Sequence, residues 1–331
     1  MSILGGKYIM RISELYTQID ELFDMPCGIQ LYAVLRRNEE ELLKYINLKD
    51  EIDQDDNTSY ELMRGFMKAI RSLLYDEEDS SVLKLSTADD RKNAIYNYDL
   101  DELPYEMELL KTVSEQPDNV DIFNFQDDKL KEIIGFIVLI GDANRHIAIY
   151  KQQYSISLLN RDKYMLTPIP HSNRMKKYEG DILRIDFNCH FFLWNDYIYI
   201  LDVEKMEKIC SFTNIIRKEA EKSIEMIKDI DIVDNVESLS DEIDNMTFVR
   251  KLTRIYKDSK VIGKVSNDAI INFAQIHSYF KNNPIKVNDS HNKFILDTKK
   301  SKNAFLKLLN DDLLTSELTR EEYESLAKNN I

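Results

Sequence analysis

Cysteine is scarce in this sequence: Cys27, Cys189 and Cys210 are the only three in 331 residues, far apart and without a CxxC pair. So sparse and odd a set argues against a disulfide framework and a cysteine-based zinc site, and it suits a reducing compartment. Glycine and proline are also few, at eight and six, while 43% of the residues are apolar. That balance belongs to an ordered globular chain rather than a disordered one. Long hydrophobic runs are missing. The longest, Ile133 to Ile140, is interrupted by Gly135 and falls far short of the ~20 residues a spanning helix needs. The run Met1 to Lys7 lacks the apolar region and cleavage pattern of a secretory leader. These absences together predict a cytoplasmic protein.

Catalytic signatures are missing too. No P-loop, GxSxG, HExxH or His/Cys metal spacing occurs. The acidic run Asp50 to Asp56 resembles a calcium loop only superficially, because no Gly follows Asn57 and Arg64 stands where the terminal bidentate acid belongs. Asp186 and His190 share one face of an expected strand, but their spacing of ~13 Å is too long for a hydrogen bond. His190 is therefore expected to be structural. Asp186, Asp202, Glu204 and Lys205 offer the residue types of a metal-dependent nuclease, in an order that fits no nuclease pattern. We expect no enzyme activity, no metal and no cofactor.

Acid is abundant, and its distribution is uneven. The formal net charge is −15, which on average disfavours a nucleic-acid partner. Three islands depart from that average: 145–177, 249–264 and 293–307 carry +6, +5 and +4, leaving −30 for the remainder. Distribution decides electrostatic steering more than the total does.

The pattern reads as an α+β fold, mixed α/β with antiparallel hairpins in the middle and helices dominating the C-terminal third. Two domains are expected: an acidic α/β domain over 1–130, and a second over 131–331 with β-hairpins at 131–202 and a helical part at 203–331. In the first, Gly28 to Arg36 reads as a strand and Glu39 to Leu48 as a helix. Pro104 suits the first turn of a helix from Tyr105. In the middle, Gly141-Asp142-Ala143-Asn144 and Asn195-Asp196 should each turn a hairpin. A strand from Ile182 to Trp194 would put Phe192 and Trp194 on a mixed face suited to a domain or subunit contact. The acidic stretch Asp229 to Asp244 reads as a linker. Ser266 can cap a helix running to about Lys281, and Pro284 stops it. Ile285 to Val287 and Lys293 to Leu296 suit a short hairpin, and two helices are expected to finish the chain, the last capped by Thr319 and Glu322.

The most distinctive block is Lys293 to Leu318, KFILDTKKSKNAFLKLLNDDLLTSEL. On a helical wheel Lys300, Asn303 and Lys307 fall within about 60° of each other, while Phe305, Leu308 and Leu309 take a separate arc. One side is thus packed and the other basic. This block, with Arg250-Lys251-Leu252 upstream and the aromatic strand leading into Leu201-Asp202, resembles the KwaB-like proteins of the Kiwa anti-phage system. The likeness runs from Phe294 to Lys328 most clearly and covers the C-terminal half; the first 130 residues carry no matching motif.

The resemblance implies a cytoplasmic defence protein that binds DNA and acts beside a membrane-embedded partner of the KwaA type, which could recruit it to the inner face of the membrane. It implies interference with phage DNA replication or late expression. It supplies no position-by-position site, so the candidate DNA contacts come from charge alone: Arg174, Lys176 and Lys177 in a polar loop; Arg250, Lys251, Arg254 and Lys257 on a helix, where 250, 254 and 257 form one stripe; and Lys300 and Lys307. Such residues neutralise phosphates without reading sequence, so the expected ligand is double-stranded DNA bound non-specifically, and a homodimer would join islands from two copies. Three other readings stay open. The chain can be a metal-dependent nuclease, the islands can pair with the acidic N-terminal third, or the chain can be a pure interaction protein.

Overall fold

The computed structural model describes residues 10–38, 40–48, 57–76, 80–87, 94–153, 158–159, 166–168, 174–177, 182–210 and 212–324. The first part of the chain forms α1 (Ile12–Phe23), β1 (Gly28–Arg37), β2 (Glu40–Ile46), α2 (Thr58–Asp76), β3 (Leu83–Lys84), β4 (Tyr96–Asn97) and α3 (Tyr105–Glu115). The middle forms β5 (Ile133–Gly141) and β6 (His146–Gln152), the short strands β7 (Leu158–Leu159), β8 (Leu166–Pro168), β9 (Met175–Lys177) and β10 (Ile182–Leu183), and the hairpin β11 (Phe191–Trp194) and β12 (Tyr197–Ile200). Helices α4 (Val203–Ile209), α5 (Phe212–Asp229), α6 (Met246–Asp258), α7 (Asn267–Ile276) and α8 (Tyr279–Asn282) follow. The chain then forms β13 (Lys286–Val287), β14 (Phe294–Ile295), α9 (Lys299–Leu309), β15 (Leu313–Thr315) and β16 (Glu322–Glu324). The architecture is α+β.

Two compact units result: one from 1–82, 93–97 and 105–209, the other from 83–92, 98–104 and 210–331. In the first, a sheet runs in the order β2-β1-β5-β6-β11-β12-β4 with antiparallel neighbours. It joins residues on both sides of position 130. Alternation along the strands gives it two apolar faces. Leu31, Ala33, Phe136, Val138, Ile147, Ile149, Phe192 and Trp194 pack with Ile12, Leu15, Ile19, Phe66, Met67 and Ile70 of α1 and α2. The intervening residues Tyr32, Val34, Ile137, Leu139, Tyr150 and Phe191 are buried as well, and α3 lies against β5 and β6 with Met107, Leu110 and Val113 buried.

In the second unit α5 packs on α6, and α6 on α9. Phe248, Val249, Leu252 and Ile255 are buried, as are Phe294, Phe305, Leu308 and Leu309. The rings of Phe294 and Phe305 meet edge to face at 5.6 Å.

Several expectations hold in detail. Asn195 and Asp196 adopt φ of 48° and 67° between β11 and β12, as a two-residue hairpin requires. The Ser266 hydroxyl accepts from the Ala269 amide at 3.4 Å and caps α7. The 286–295 hairpin forms.

Five expectations are corrected. Residues 40–46 form a strand rather than a helix: Asn38 at φ 52° turns the chain so that Arg37 faces Glu40 and Leu31 faces Ile46. The strand expected over 182–194 is interrupted, with 184–190 outside any strand. Phe192 and Trp194, at 0% and 1% exposure, are core rather than interface. The stretch 229–244 is not a linker, because Ile232, Val233, Val236 and Leu239 are buried and Val233 bridges to Phe294. Finally, β15 and β16 form a hairpin where a capped helix was expected, with the Thr319 amide donating to Ser316 Oγ at 3.2 Å. The Asp50 to Asp56 run lies outside the described residues.

Candidate nucleic-acid interface

Helix α9 sets the geometry of the site. Thr298 Oγ1 accepts from the Ser301 amide at 3.0 Å and fixes where the helix begins. Ala304, Phe305, Leu308 and Leu309 turn inward, as the wheel requires. Lys299, Lys300, Asn303 and Lys307 are left on the other side. Together with Lys251 of α6, Tyr279 of α8 and Asn283, they line a cleft of about 530 Å³. Among the described residues, no acid is on the lining.

Each lysine is oriented by a neighbour. Lys300 Nζ donates to the Asn282 carbonyl at the end of α8, at 2.6 Å. Lys251 Nζ lies 3.4 Å from Asn303 Oδ1, and Asn303 Nδ2 donates to the Lys299 carbonyl at 2.9 Å. Lys299 keeps 65% of its side chain exposed and is 3.8 Å from Glu242. Lys307 pairs with Glu324 of β16 and holds its ammonium 5.1 Å from the Tyr279 ring centroid, a cation–π distance.

The placement of Lys299 and Lys300 runs against helix electrostatics. They occupy the first turn of α9, which contains no acid. A helix N-terminus carries about half a positive charge, so cations there are disfavoured by roughly 0.3–1 kcal/mol each and anions are favoured. An anion in the cleft would relieve the lysines and satisfy the dipole at once.

The other nominated residues do not converge here. Lys257 is directed to Asp101 and to Glu219, which is 1% exposed. Burial opposes its charge, yet these two carboxylates outweigh burial and hold its pKa above the ordinary lysine value. Lys222 and Lys257 in turn hold Asp101 below the usual carboxylate range. Arg254 lies 3.5 Å from Asp312, itself 2% exposed, and Arg250 is partly exposed on α6. The 250/254/257 stripe is therefore divided, while Lys251, off the stripe, lines the cleft. Arg174 is exposed, and Lys176 and Lys177 stand in β9, paired with β8, their side chains outside the described residues. All three belong to the first unit. Lys299, Tyr279 and Asn283 were not nominated. The i, i+4 spacing of Tyr279 and Asn283 was their one signal, hidden by reading 266–281 as a single helix.

The nuclease-type acids are held by lysines. Asp186 lies 3.3 Å from Lys151 Nζ, which is 1% exposed. Asp202 Oδ1 accepts from the Lys205 amide at 2.9 Å, and its other oxygen is 3.0 Å from Lys205 Nζ. His190 is buried, and Nδ1 accepts from the Gln152 amide at 3.3 Å. Among the described residues no group of three or more His, Cys, Asp or Glu is placed to hold a metal ion. No described helix is long and apolar enough to cross a membrane.

The family model described as "Kiwa protein KwaB-like" matches residues 130–319, which include β5 to α9 and the cleft. A curated relative, Kiwa protein KwaB from Escherichia coli O55:H7 (strain RM12579 / EPEC), is 27% identical over 324 residues, 97% of this chain and 99% of the relative. Likeness thus extends through the N-terminal third, where no motif was legible. No solved structure matches the chain. The chain belongs to the Kiwa protein KwaB-like family.

Proposed function

We propose that this chain is an anti-phage defence protein that binds DNA without strong sequence preference through the basic cleft at α9. Membership in the Kiwa family supports the defence role. The observation that carries the DNA reading is the cleft itself: four lysines on its lining, two of them in a helical first turn that holds no acid. Lysine contacts to phosphate release counterions and give affinity that is independent of sequence and steeply dependent on salt. In this reading the protein is cytoplasmic, works as a homodimer, and reaches the membrane through a membrane-embedded partner of the KwaA type to impede phage DNA replication or expression.

A gel shift on generic duplex DNA at two salt concentrations, with and without magnesium, tests the reading. Binding should weaken steeply with salt. Lys299→Glu with Lys300→Glu should reduce the log–log salt slope by roughly 2, at about 0.9 per phosphate contact. Both side chains are exposed, and acids at an N-terminal turn suit the helix dipole. The double variant should therefore melt no earlier than wild type. Absence of a shift at low salt overturns the DNA reading, and magnesium-dependent cleavage would replace it with the nuclease reading.

A further inference from the structure

The cleft has a shape and a wall that duplex backbone alone does not call for. Resting on the DNA reading above, we infer that it receives an unpaired nucleotide at a DNA end, with the base against Tyr279 and the flanking phosphates on Lys251, Lys299 and Lys300.

Shape is the first argument. A B-form duplex is convex and presents its phosphates in rows, so a protein that only follows the backbone needs a ridge or a shallow groove. Here four lysines line one open recess of about 530 Å³, a volume in the roughly 300–1,000 Å³ range of sites that take a small ligand. A nucleotide turned out of a helix is a ligand of that kind, and it brings its own phosphates.

Lining chemistry is the second. Phosphate needs cations and amides, not an aromatic ring, yet Tyr279 forms part of the wall. Its ring is fixed from two directions: Lys307 stands 5.1 Å from the centroid, and Phe280 meets it edge to face at 5.3 Å and 88°. A ring held in this way is a ready platform for a base, because every base offers a π-face. Asn283, also on the lining, donates through Nδ2 to the Tyr279 carbonyl at 2.9 Å, so its amide oxygen is the atom that would accept from a base amine. Asn303 by contrast is engaged on both atoms by Lys251 and the Lys299 carbonyl, so it positions lysines rather than reading a base. A fully paired duplex hides its base faces in the stack. An end or overhang exposes one.

Fluorescence anisotropy decides the matter, with a labelled blunt duplex and a duplex of equal paired length that carries a short single-stranded overhang. Wild type should bind the overhang about tenfold more tightly, the size of one base–aromatic stack. Tyr279→Leu should lose that preference, read as the ratio of overhang to blunt affinity, whereas Tyr279→Phe should retain the ratio. Asn283→Asp, which puts a carboxylate on the lining, gives a second variant and should also lose the preference. Equal binding of the two duplexes by wild type overturns the inference while leaving the DNA reading intact, and so does an overhang preference that survives Tyr279→Leu. If wild type binds neither duplex at low salt, the DNA reading itself has failed.

Discussion

His190 keeps only 3% of its surface exposed. Burial, with Lys205 and Lys151 nearby, pushes its pKa down to about 4, with Asp202 and Asp186 pulling the other way. The ring is therefore neutral in the folded chain, consistent with Nδ1 accepting from the Gln152 amide. An unfolded histidine titrates near 6.5, so between about pH 4 and 6.5 the unfolded chain binds the extra proton. Stability from this residue is complete above that window and is lost as pH falls through it, on the order of 3 kcal/mol in all. Urea unfolding at pH 7 and at pH 4.5 should show a smaller loss for His190→Gln than for wild type; parallel losses would show that the buried ring is not the cause. At this scale the sequence was only half legible. The sequence read His190 as structural from a strand spacing that 184–190 do not adopt, and it could not show that Lys151 would be buried beside Asp186. Nor could it tell Lys257 from Lys300. The two are the same residue type in similar helical settings, and only the fold brings Asp101, 156 positions away, onto Lys257.

Among the elements, α9 was the most legible. Its apolar arc and basic arc follow from a 3.6-residue period, and the structure buries the first and leaves the second on the cleft. The hairpin that follows was misread, because a capping-box pattern at Thr319 and Glu322 is a local signal that strand pairing overrode. That hairpin brings two acids to the site. Glu324 pairs with Lys307. Glu322 accepts from the Ser278 amide at 3.2 Å and from its hydroxyl, and the hydroxyl contact holds its carboxyl below the usual range. Glu324 thus occupies a cation that the DNA reading assigns to phosphate. Glu324→Gln should release Lys307 and raise duplex affinity at low salt by up to about fivefold, since a partly exposed ion pair is worth about 0–1 kcal/mol. Unchanged or weaker binding would remove Lys307 from the interface. Helices α1 and α2 escaped the sequence reading, although their buried faces complete the first unit's core. Dense apolar strands dominate the pattern around them, and the acidic runs beside these helices read as loop.

For the whole molecule, the net charge of −15 is an average over regions with different tasks. The 249–264 island divides between internal ion pairs, at Lys257 and Arg254, and the cleft, at Lys251. The 293–307 island supplies the cleft's other lysines. The second unit also draws on residues 98–104, so the carboxylate of Asp101 comes from a part of the chain that the sequence assigns to an acidic N-terminal domain. The family likeness was readable most clearly between Phe294 and Lys328, with Arg250-Lys251-Leu252 and the strand into Leu201-Asp202 beside it; the first 130 residues carried no motif to match. The position of β1 has a practical consequence for anyone who trims the protein to the 130–319 match. In the intact chain β1 lies along β5, pairing Leu31 with Val138 and Ala33 with Phe136. A shortened chain beginning at residue 130 would bare the edge of β5, whose sequence IIGFIVLIG is uncharged and strongly strand-forming. Bare edges of that kind template intermolecular sheets. Such a fragment should collect in inclusion bodies and bind thioflavin T, and adding residues 10–130 back should restore a soluble product. A soluble, monodisperse fragment would mean that β1 is dispensable to the sheet.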